Sequence, residues 1–262
     1  MRRAVSLAWH YFRLAVMNEL QYRMNFFIQL LESAIALVTA LVVLALVYSH
    51  TDTLGGWNRY ELQALLGVYT VLMAVIRVSM QPNIERLIGD IHQGNFDFVL
   101  TKPMDAQWQV SIREVRVWQL IDVVAGLLIM GDAVWRLGRQ ISLWQAGLFG
   151  VTLLLGIAIL YAVWMLIGCI AFWAIRIDNI FELFDNVASA GRLPVTIYPG
   201  WMRIILTYIV PMAFAVTVPA EVITARVDLA TVGVQAVVAL GFLGLLRVVW
   251  RWSLTQYSGA SA

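Results

Sequence analysis

Five polar residues between positions 178 and 192 recur at the spacing of one helix face. Asp178, Glu182, Asp185, Ser189 and Arg192 follow one another at intervals of three or four, with apolar residues between them. Ionisable groups at membrane depth are costly unless they pair or face water, so this stripe could line a hydrated path. An interfacial helix with solvated acids would show the same pattern, and the sequence leaves both interpretations open.

If the stripe lies in a membrane, its deeper end needs a counter-charge. Arg192 would then face water or pair with a carboxylate from another helix. Asp122 and Glu32, each isolated in an apolar run, are the candidates.

Signatures of catalysis and metal binding are missing from the sequence. No HExxH, GxSxG or Walker A pattern occurs, and the only lysine, Lys102, is followed by Pro103. The three histidines lie in separate segments, and a single cysteine, Cys169, allows neither an internal disulfide nor a thiolate zinc site. We therefore expect no catalytic residue, no metal and no cofactor in this chain; any ATP and Mg²⁺ would be bound by another protein.

We expect membrane helices to position these residues. The composition indicates this, since 61% of the 262 residues are hydrophobic and only 13% are charged. The formal net charge of +2 comes from scattered cations, which argues against a nucleic-acid partner. Five apolar runs are long enough to span a bilayer. They cover residues 24–48, 60–80, 108–135, 143–175 and 229–250. Hydropathy places one more crossing at 201–223, within a stretch that contains four prolines.

The distribution of cations predicts the orientation. Most lysines and arginines fall on the side of both termini and of the 81–107 loop, which the positive-inside rule makes cytoplasmic. Near the N-terminus, Arg3, Ser6, His10 and Arg13 form a polar stripe on an otherwise apolar segment. This pattern predicts an interfacial helix within residues 1–23, which could also be a simple lipid anchor.

The 81–107 loop contains the most regular apolar pattern outside the crossings. Ile84, Leu87, Ile88 and Ile91 recur at helical spacing, after Pro82 and before Gly94, which are typical of a helix start and stop. The apolar face of this short helix could fold back on the chain's own bundle. It could equally dock into a groove of a soluble partner.

Two motifs in this sequence resemble those of a known family. The segment GNFDFVLTKP at 94–103 is similar to the "G.fD..L.kP" element of permeases of ABC transporters with the type-2 exporter fold. The segments LPVTIYP at 193–199, IVPMAF at 209–214 and VPA at 218–220 are similar to a proline-rich string of one branch of these permeases. With the hydropathy pattern, the resemblance covers nearly the whole chain.

The resemblance implies an all-α integral membrane protein with a single permease domain, 1–262. It has six transmembrane helices, an N-terminal interfacial helix, a cytoplasmic coupling helix between helices 2 and 3, and a re-entrant outer hairpin before helix 6. The fifth crossing becomes 178–198, helices 3–5 lie within 108–198, the hairpin is 199–228, and helix 6 with a cytoplasmic tail is 229–262. Tyr198, Pro199, Pro211 and Pro219 mark the hairpin, which Pro211 and Pro219 should interrupt.

The resemblance also implies a function. The chain would be the permease subunit of an ATP-driven exporter in the bacterial inner membrane, with a second permease and two copies of an ABC ATPase as partners. The ATPase-coupling residues would be Ile84, Leu87, Ile88, Ile91, Gly94, Asp97, Lys102 and Pro103. The competing interpretation is a secondary transporter or channel subunit, for which the expected internal repeat is not visible.

Overall fold

The computed structural model describes residues 17, 23–138, 140–174 and 180–257. Those residues form helices, turns and one isolated β-bridge between Leu54 and Trp57. The helices are α1 (Arg23–Tyr48), α2 (Arg59–His92), α3 (Asp97–Leu100), α4 (Ala106–Ser111), α5 (Val117–Arg136), α6 (Leu143–Phe172), α7 (Ile180–Ser189), α8 (Gly200–Ile209), α9 (Ala213–Ile223) and α10 (Leu229–Gln256). Apart from Met17 and Arg23, the predicted interfacial helix lies outside the described residues, as does Asp178.

In the part of the chain that the structure describes, five helices are long and apolar enough to cross a membrane: α1, α2, α5, α6 and α10. Helices α8 and α9 would give a sixth candidate only as a broken pair, because they are bent by 77° at the break between them. The chain is therefore a multi-pass helical membrane protein, as its composition predicts.

Local sequence signals fix several helix starts. Asn58 and Glu61 form a capping box at the start of α2, and Ser142 and Gln145 form another at the start of α6. The side chain of Asp228 caps α10 by accepting a hydrogen bond from the Ala230 amide. These caps satisfy main-chain N–H groups that have no partner inside the helix.

The predicted coupling helix is not a separate element. Residues Gln81–His92 continue the helix that begins at Arg59, through a π-helical turn at Ile76–Met80. Pro82 has no N–H to donate to the preceding turn, and the Val78 carbonyl in that turn accepts a hydrogen bond from the Arg116 amide at 2.8 Å. The short helix predicted around Ile84, Leu87, Ile88 and Ile91 is therefore present as Gln81–His92, with Pro82 in its first turn, and it continues α2.

The third crossing begins later than predicted. Residues Ala106–Ser111 form the short helix α4, and α5 starts only at Val117. Between them lie Arg113, Glu114 and Arg116, whose charged side chains pair with α2. The predicted start at 108 was therefore too early.

Small residues let α2 and α5 pack backbone to backbone. A Cβ atom on Gly67 would lie 2.8 Å from the Gly126 carbonyl oxygen, and one on Gly126 would lie 2.9 Å from the Gly67 carbonyl oxygen. Such approach is typical of glycine-mediated helix pairs in membranes. The α2–α5 pair forms the centre of the bundle, with α1 only loosely attached to it.

Contacts between loops define two ends of the bundle. At one end, the Thr196 hydroxyl donates to the Gly55 carbonyl and Arg226 donates to the Gly56 carbonyl. At the other end, the His92 ring contacts the Ala174 carbonyl oxygen at 3.3 Å. The chain therefore passes from one end to the other between Ala174 and Thr196.

The bent pair α8–α9 begins and finishes at the same end of the bundle. Arg203 in α8 donates to the Thr196 carbonyl, and Arg226, just after α9, pairs with Glu61 at 2.8 Å. A plain crossing at 201–223 would instead separate these two arginines by the thickness of a membrane.

The two prolines of the bent pair differ in effect. The helix breaks at Val210, directly before Pro211. Pro219, by contrast, lies in the first turn of the α-helical part of α9 and does not interrupt it. The expectation that Pro219 breaks the helix is therefore wrong, because a π-helical turn at Ala213–Thr217 precedes it and shifts the hydrogen-bond register.

Candidate functional site

Residues 81–116, which we call the elbow, are tied together by ion pairs. Three pairs join the end of α2 to the segment before α5: Asp90–Arg113 at 2.6 Å, Arg86–Glu114 at 2.6 Å, and Glu85–Arg116. The Asp90–Arg113 pair is the most shielded from solvent, so it should contribute more than the other two, which are exposed. The elbow thus connects α2 and α5 through charged contacts.

A buried amide completes this connection. The Asn83 side-chain oxygen accepts hydrogen bonds from the main-chain N–H groups of Arg113 and Glu114, both at 2.9 Å. Its nitrogen donates to the Glu114 carbonyl at 2.7 Å and to the Ser79 carbonyl at 2.5 Å. All four hydrogen-bonding positions of the amide are therefore used. The role of Asn83 is not predictable from the sequence, because a lone asparagine after a proline gives no local signal of a partner thirty residues away.

The GNFDFVLTKP segment turns the chain after α2. Gly94 has φ +72°, a conformation that favours glycine, and this explains its place at the helix stop. Phe96 is fully buried, with ring centroids 5.6 Å from Phe172, 6.3 Å from Trp250 and 5.2 Å from Tyr257. The motif is thus anchored by an aromatic cluster that joins the elbow to the ends of α6 and α10.

The predicted apolar stripe packs mainly against the chain itself. Ile84 and Leu87 are each 1% exposed, and both face Gly168 on α6. Ile88 and Ile91 are partly buried against the same core. Of the two alternatives, folding back on the bundle describes Ile84 and Leu87, because the bare Gly168 backbone leaves room for them.

An exposed apolar surface of the elbow lies after the Gly94 stop. Phe98 is 70% exposed and Leu100 is 43% exposed, and both belong to the motif. Lys102 and Pro103, also predicted coupling residues, are exposed beside them, whereas Asp97 is partly buried. We call Phe98, Leu100, Lys102 and Pro103 the elbow tip.

Polar contacts also fasten the elbow to α6 and α10. Arg247 donates to Asp105 at 2.6 Å and to Gln107 at 2.7 Å, and the hydroxyls of Ser111 and Tyr161 lie 2.8 Å apart. The hydrogen bond from Arg247 holds the pKa of Asp105 below its ordinary value of 3.8, against the opposing effect of partial burial. Asp105 therefore stays ionised and paired at neutral pH.

The predicted polar stripe is described from Glu182 onward. Glu182 is exposed, Asp185 and Ser189 are half-buried, and the opposite face packs inward through Phe184 and Ala188. Phe184 lies against Trp164 of α6, with ring centroids 4.9 Å apart. The helix is amphipathic, as its spacing predicts.

Arg192 follows α7 and lines a polar cavity of about 210 Å³ between α1, α2 and α5. Its guanidinium lies over the Tyr69 ring, 5.6 Å from the centroid. The two predicted partners, Glu32 and Asp122, line the same cavity, but Asp122 pairs with Arg77 at 4.0 Å. Among the described residues, no carboxylate lies within ion-pair distance of Arg192, so of the two predicted alternatives the structure shows Arg192 facing a cavity and not paired with Asp122 or Glu32.

The proline-rich segment sits at the opposite end from the elbow. The Tyr198 hydroxyl donates to the Ala190 carbonyl at 2.9 Å and closes the turn after α7. Pro199 precedes the first residue of α8, where its missing N–H leaves no bond unmade. These contacts hold the start of the bent pair against the end of α7.

Within the described residues, no group of three or more histidine, cysteine, aspartate or glutamate side chains could hold a metal ion. What the described residues do form is a helical bundle with internal cavities and, at one end, a charged loop fastened to several helices.

Comparison with known proteins gives the family. The sequence profile described as "ABC-2 family transporter protein" matches residues 34–261, which is most of the chain. The chain therefore belongs to the ABC-2 family of transporter proteins. It is a membrane component of an ABC transporter, and membership implies association with an ABC ATPase. No curated protein and no solved structure gives a significant match.

Proposed function

We propose that the chain is the permease subunit of an ATP-driven exporter in a bacterial inner membrane, with both termini cytoplasmic. It would form half of the path, with an identical or homologous second permease and two ATPase subunits. The bent pair α8–α9 would be a re-entrant hairpin entering from the outside. Few of the arginines lie at that end of the bundle, and the positive-inside rule therefore supports placing it outside.

The observation that carries the proposal is the construction of the elbow. Its ion pairs, the Asn83 amide and the Phe96 cluster connect it to α2, α5, α6 and α10. A displacement applied there would therefore reach four spanning helices at once. Movement of an attached ATPase pair during ATP hydrolysis is the displacement that this family implies.

The elbow tip is the surface we assign to the ATPase contact. Phe98 offers an exposed aromatic ring next to the exposed cation of Lys102, and buried aromatic anchors often dominate binding at protein interfaces. Ile84 and Leu87 are occupied by contacts within the chain, so in this proposal they support the tip and do not enter the partner's groove.

The test uses the tagged full-length chain isolated from its native membrane. Wild-type protein should co-purify with a Walker A protein whose ATP hydrolysis is vanadate-sensitive, whereas the chain alone should hydrolyse no ATP. Phe98→Ala should reduce recovery of that ATPase at limiting concentration by about tenfold or more, the loss expected for a central aromatic anchor.

Trp135→Ala is the matched control, because Trp135 is equally exposed but lies at the opposite end of the bundle. Equal ATPase recovery with Phe98→Ala and Trp135→Ala would exclude the elbow tip as the docking surface. ATP turnover by the isolated chain after removal of contaminants would overturn the assignment as a separate permease subunit.

A further inference from the structure

A second cavity lies next to the polar one and shares residues with it. It has a volume of about 390 Å³, and its lining is largely aliphatic, from Val43, Leu44 and Val47 of α1 and Leu62 of α2. Arg192 lines both cavities, as do Ala36, Ala40 and Leu66. The two spaces therefore form one groove along the α1–α2 seam, with Arg192 where its polar and apolar parts meet.

The polarity of the groove changes along the bundle axis. The polar part includes Arg77 and Asp122, near the elbow end, and Glu32 on the half of α1 nearer that end. The apolar part lies between Val47 and Leu62, near the opposite end. This gradient runs parallel to the spanning helices.

Arg192 lies near the middle of that axis. Its guanidinium stacks on Tyr69, about 15 Å along α2 from Arg59, and the hydrocarbon core of a bilayer is about 30 Å thick. A cation at this depth is costly unless it is hydrated or neutralised. The side chain is nonetheless exposed, and no carboxylate among the described residues is within ion-pair distance of it.

The charged side chains that line the groove determine the charge of the ligand it would bind. Of the described residues that line the apolar cavity, Arg192 alone is ionisable. In the polar cavity, Asp122 is neutralised by Arg77, which leaves Glu32 on the elbow side and Arg192 at the junction. An anionic group is therefore favoured at Arg192, with an apolar chain extending away from Glu32.

We propose that this groove is a binding site for an anionic amphiphile, with its acidic headgroup on Arg192 and its alkyl chain between α1 and α2. In the orientation given under the proposed function, the headgroup lies near the middle of the membrane and the tail extends toward the outside, so the molecule has the head-to-tail direction of an inner-leaflet lipid but lies deeper in the bilayer. The binding site itself does not depend on the ATPase.

Binding is measured by calorimetry with the purified full-length chain in nanodiscs of zwitterionic lipid. The probes are tetradecyl phosphate and tetradecyl trimethylammonium, which have the same chain and opposite charge. The phosphate should bind at least about tenfold more tightly, and Arg192→Leu should remove that preference. Arg203→Leu is the control, because the Arg203 guanidinium bonds to main-chain carbonyls outside the groove.

A second pair of variants tests the apolar part without touching the charge. Val43 lines the cavity and Val42 does not, although both are exposed positions on α1. Val43→Trp should fill the tail site and weaken tetradecyl phosphate binding about tenfold, whereas Val42→Trp should leave it unchanged. This pair remains informative if Arg192→Leu does not fold.

Two sources could supply the amphiphile, and the measurements separate them. A phospholipid retained on the purified chain and displaced by tetradecyl phosphate would identify a membrane lipid as the occupant; probe release driven by ATP in the assembled transporter would identify cargo. Equal binding of the two probes, or equal effects of Arg192→Leu and Arg203→Leu, would overturn the site. Loss of the ATPase contact in Phe98→Ala would bear only on the proposed function.

Discussion

The side-chain amide of Gln235 donates a hydrogen bond to the main-chain carbonyl of Phe214 at 2.9 Å. In the π-helical turn, the Val218 amide bonds to the Ala213 carbonyl, so the next carbonyl in that register would need the N–H that Pro219 lacks. The same amide nitrogen also donates to the Thr152 carbonyl at 2.9 Å. Gln235 thereby joins α10, α9 and α6 where the bent pair meets the bundle.

Gln235→Leu should destabilise this junction, because the half-buried Phe214 carbonyl and the buried Thr152 carbonyl would both lose this donor. An unpaired buried carbonyl costs about 1–3 kcal/mol, although measured side-chain hydrogen bonds in membrane proteins average nearer ~0.6 kcal/mol. We expect a lower midpoint of thermal unfolding in detergent. Gln256→Leu, at an exposed position of the same helix, should leave the midpoint unchanged, and equal midpoints for both variants would contradict the role of Gln235.

Gly156→Ala should loosen the contact between α6 and α9. A Cβ atom at this position would lie 2.5 Å from the Ala215 carbonyl oxygen, so the two backbones must separate, at a typical cost of about 1–3 kcal/mol. Gly150→Ala is the control on the same helix, since nothing lies within 4 Å of its Cβ position. Equal midpoints of thermal unfolding for Gly156→Ala and Gly150→Ala would show that the close approach at Gly156 does not contribute to stability.

Asn83→Ala should release the segment before α5 while the fold is kept. The amides of Arg113 and Glu114 lose their acceptor, at a cost of about 1–3 kcal/mol if they stay buried. Hydrogen exchange of these two amides should accelerate, whereas in Asn95→Ala, at an exposed position of the elbow, it should remain as in the wild type. Unchanged exchange rates of the Arg113 and Glu114 amides in Asn83→Ala would show that the Asn83 side chain does not hold this segment in place.

Acid should weaken the Asp105–Arg247 contact only below the ordinary carboxylate range. The pKa of Asp105 is lowered in the folded chain, so its stabilising effect is complete above 3.8 and is lost as pH falls through the lower folded value. The difference in unfolding midpoint between wild type and Arg247→Leu should be constant from neutral pH to about pH 5 and shrink below pH 4. A difference that already disappears near pH 6 would contradict the lowered pKa.

Labelling of single cysteines tests the proposed orientation. In a chain with Cys169→Ser, Arg203→Cys should react with an impermeant maleimide on intact cells, because Arg203 lies at the end opposite the elbow. Lys102→Cys, exposed on the elbow tip, should react only after permeabilisation. The reverse labelling pattern would show that the elbow lies outside the cell. Labelling of both cysteines in intact cells would show that the elbow and Arg203 are not on opposite sides of the membrane.

Much of the helical framework is predictable, because the signals that set it are local. The capping boxes at Asn58 and Ser142 and the stop at Gly94 depend on residues within a turn or two of one another. The amphipathic face of α7 likewise follows from spacing alone, as the inward packing of Phe184 and Ala188 shows.

The candidate site is less predictable, because it depends on contacts between distant residues. Proline at position 219 predicts a helix break, yet the Phe214 carbonyl, which the π-helical register leaves without a Pro219 N–H, accepts a hydrogen bond from the Gln235 side chain. Pro82 lies in the first turn of a helix as predicted, but the donor to the nearby Val78 carbonyl is the Arg116 amide, from a distant segment. Asp122 was a candidate partner for Arg192, but in the structure it pairs with Arg77, which the sequence does not indicate. Pairwise distances of this kind are not encoded in spacing along one segment.

The unbroken course of α2 links the two ends of the molecule mechanically. At about 1.5 Å per residue, Arg59–His92 is a rod roughly 50 Å long, with Asn83 held near one end and Tyr69 under Arg192 about a third of the way from the other end. A rod that is turned about its axis at the elbow carries the Tyr69 ring out from beneath the guanidinium. The amphiphile groove and the elbow would then be controlled by a single torsional movement, without any loop between them to absorb it.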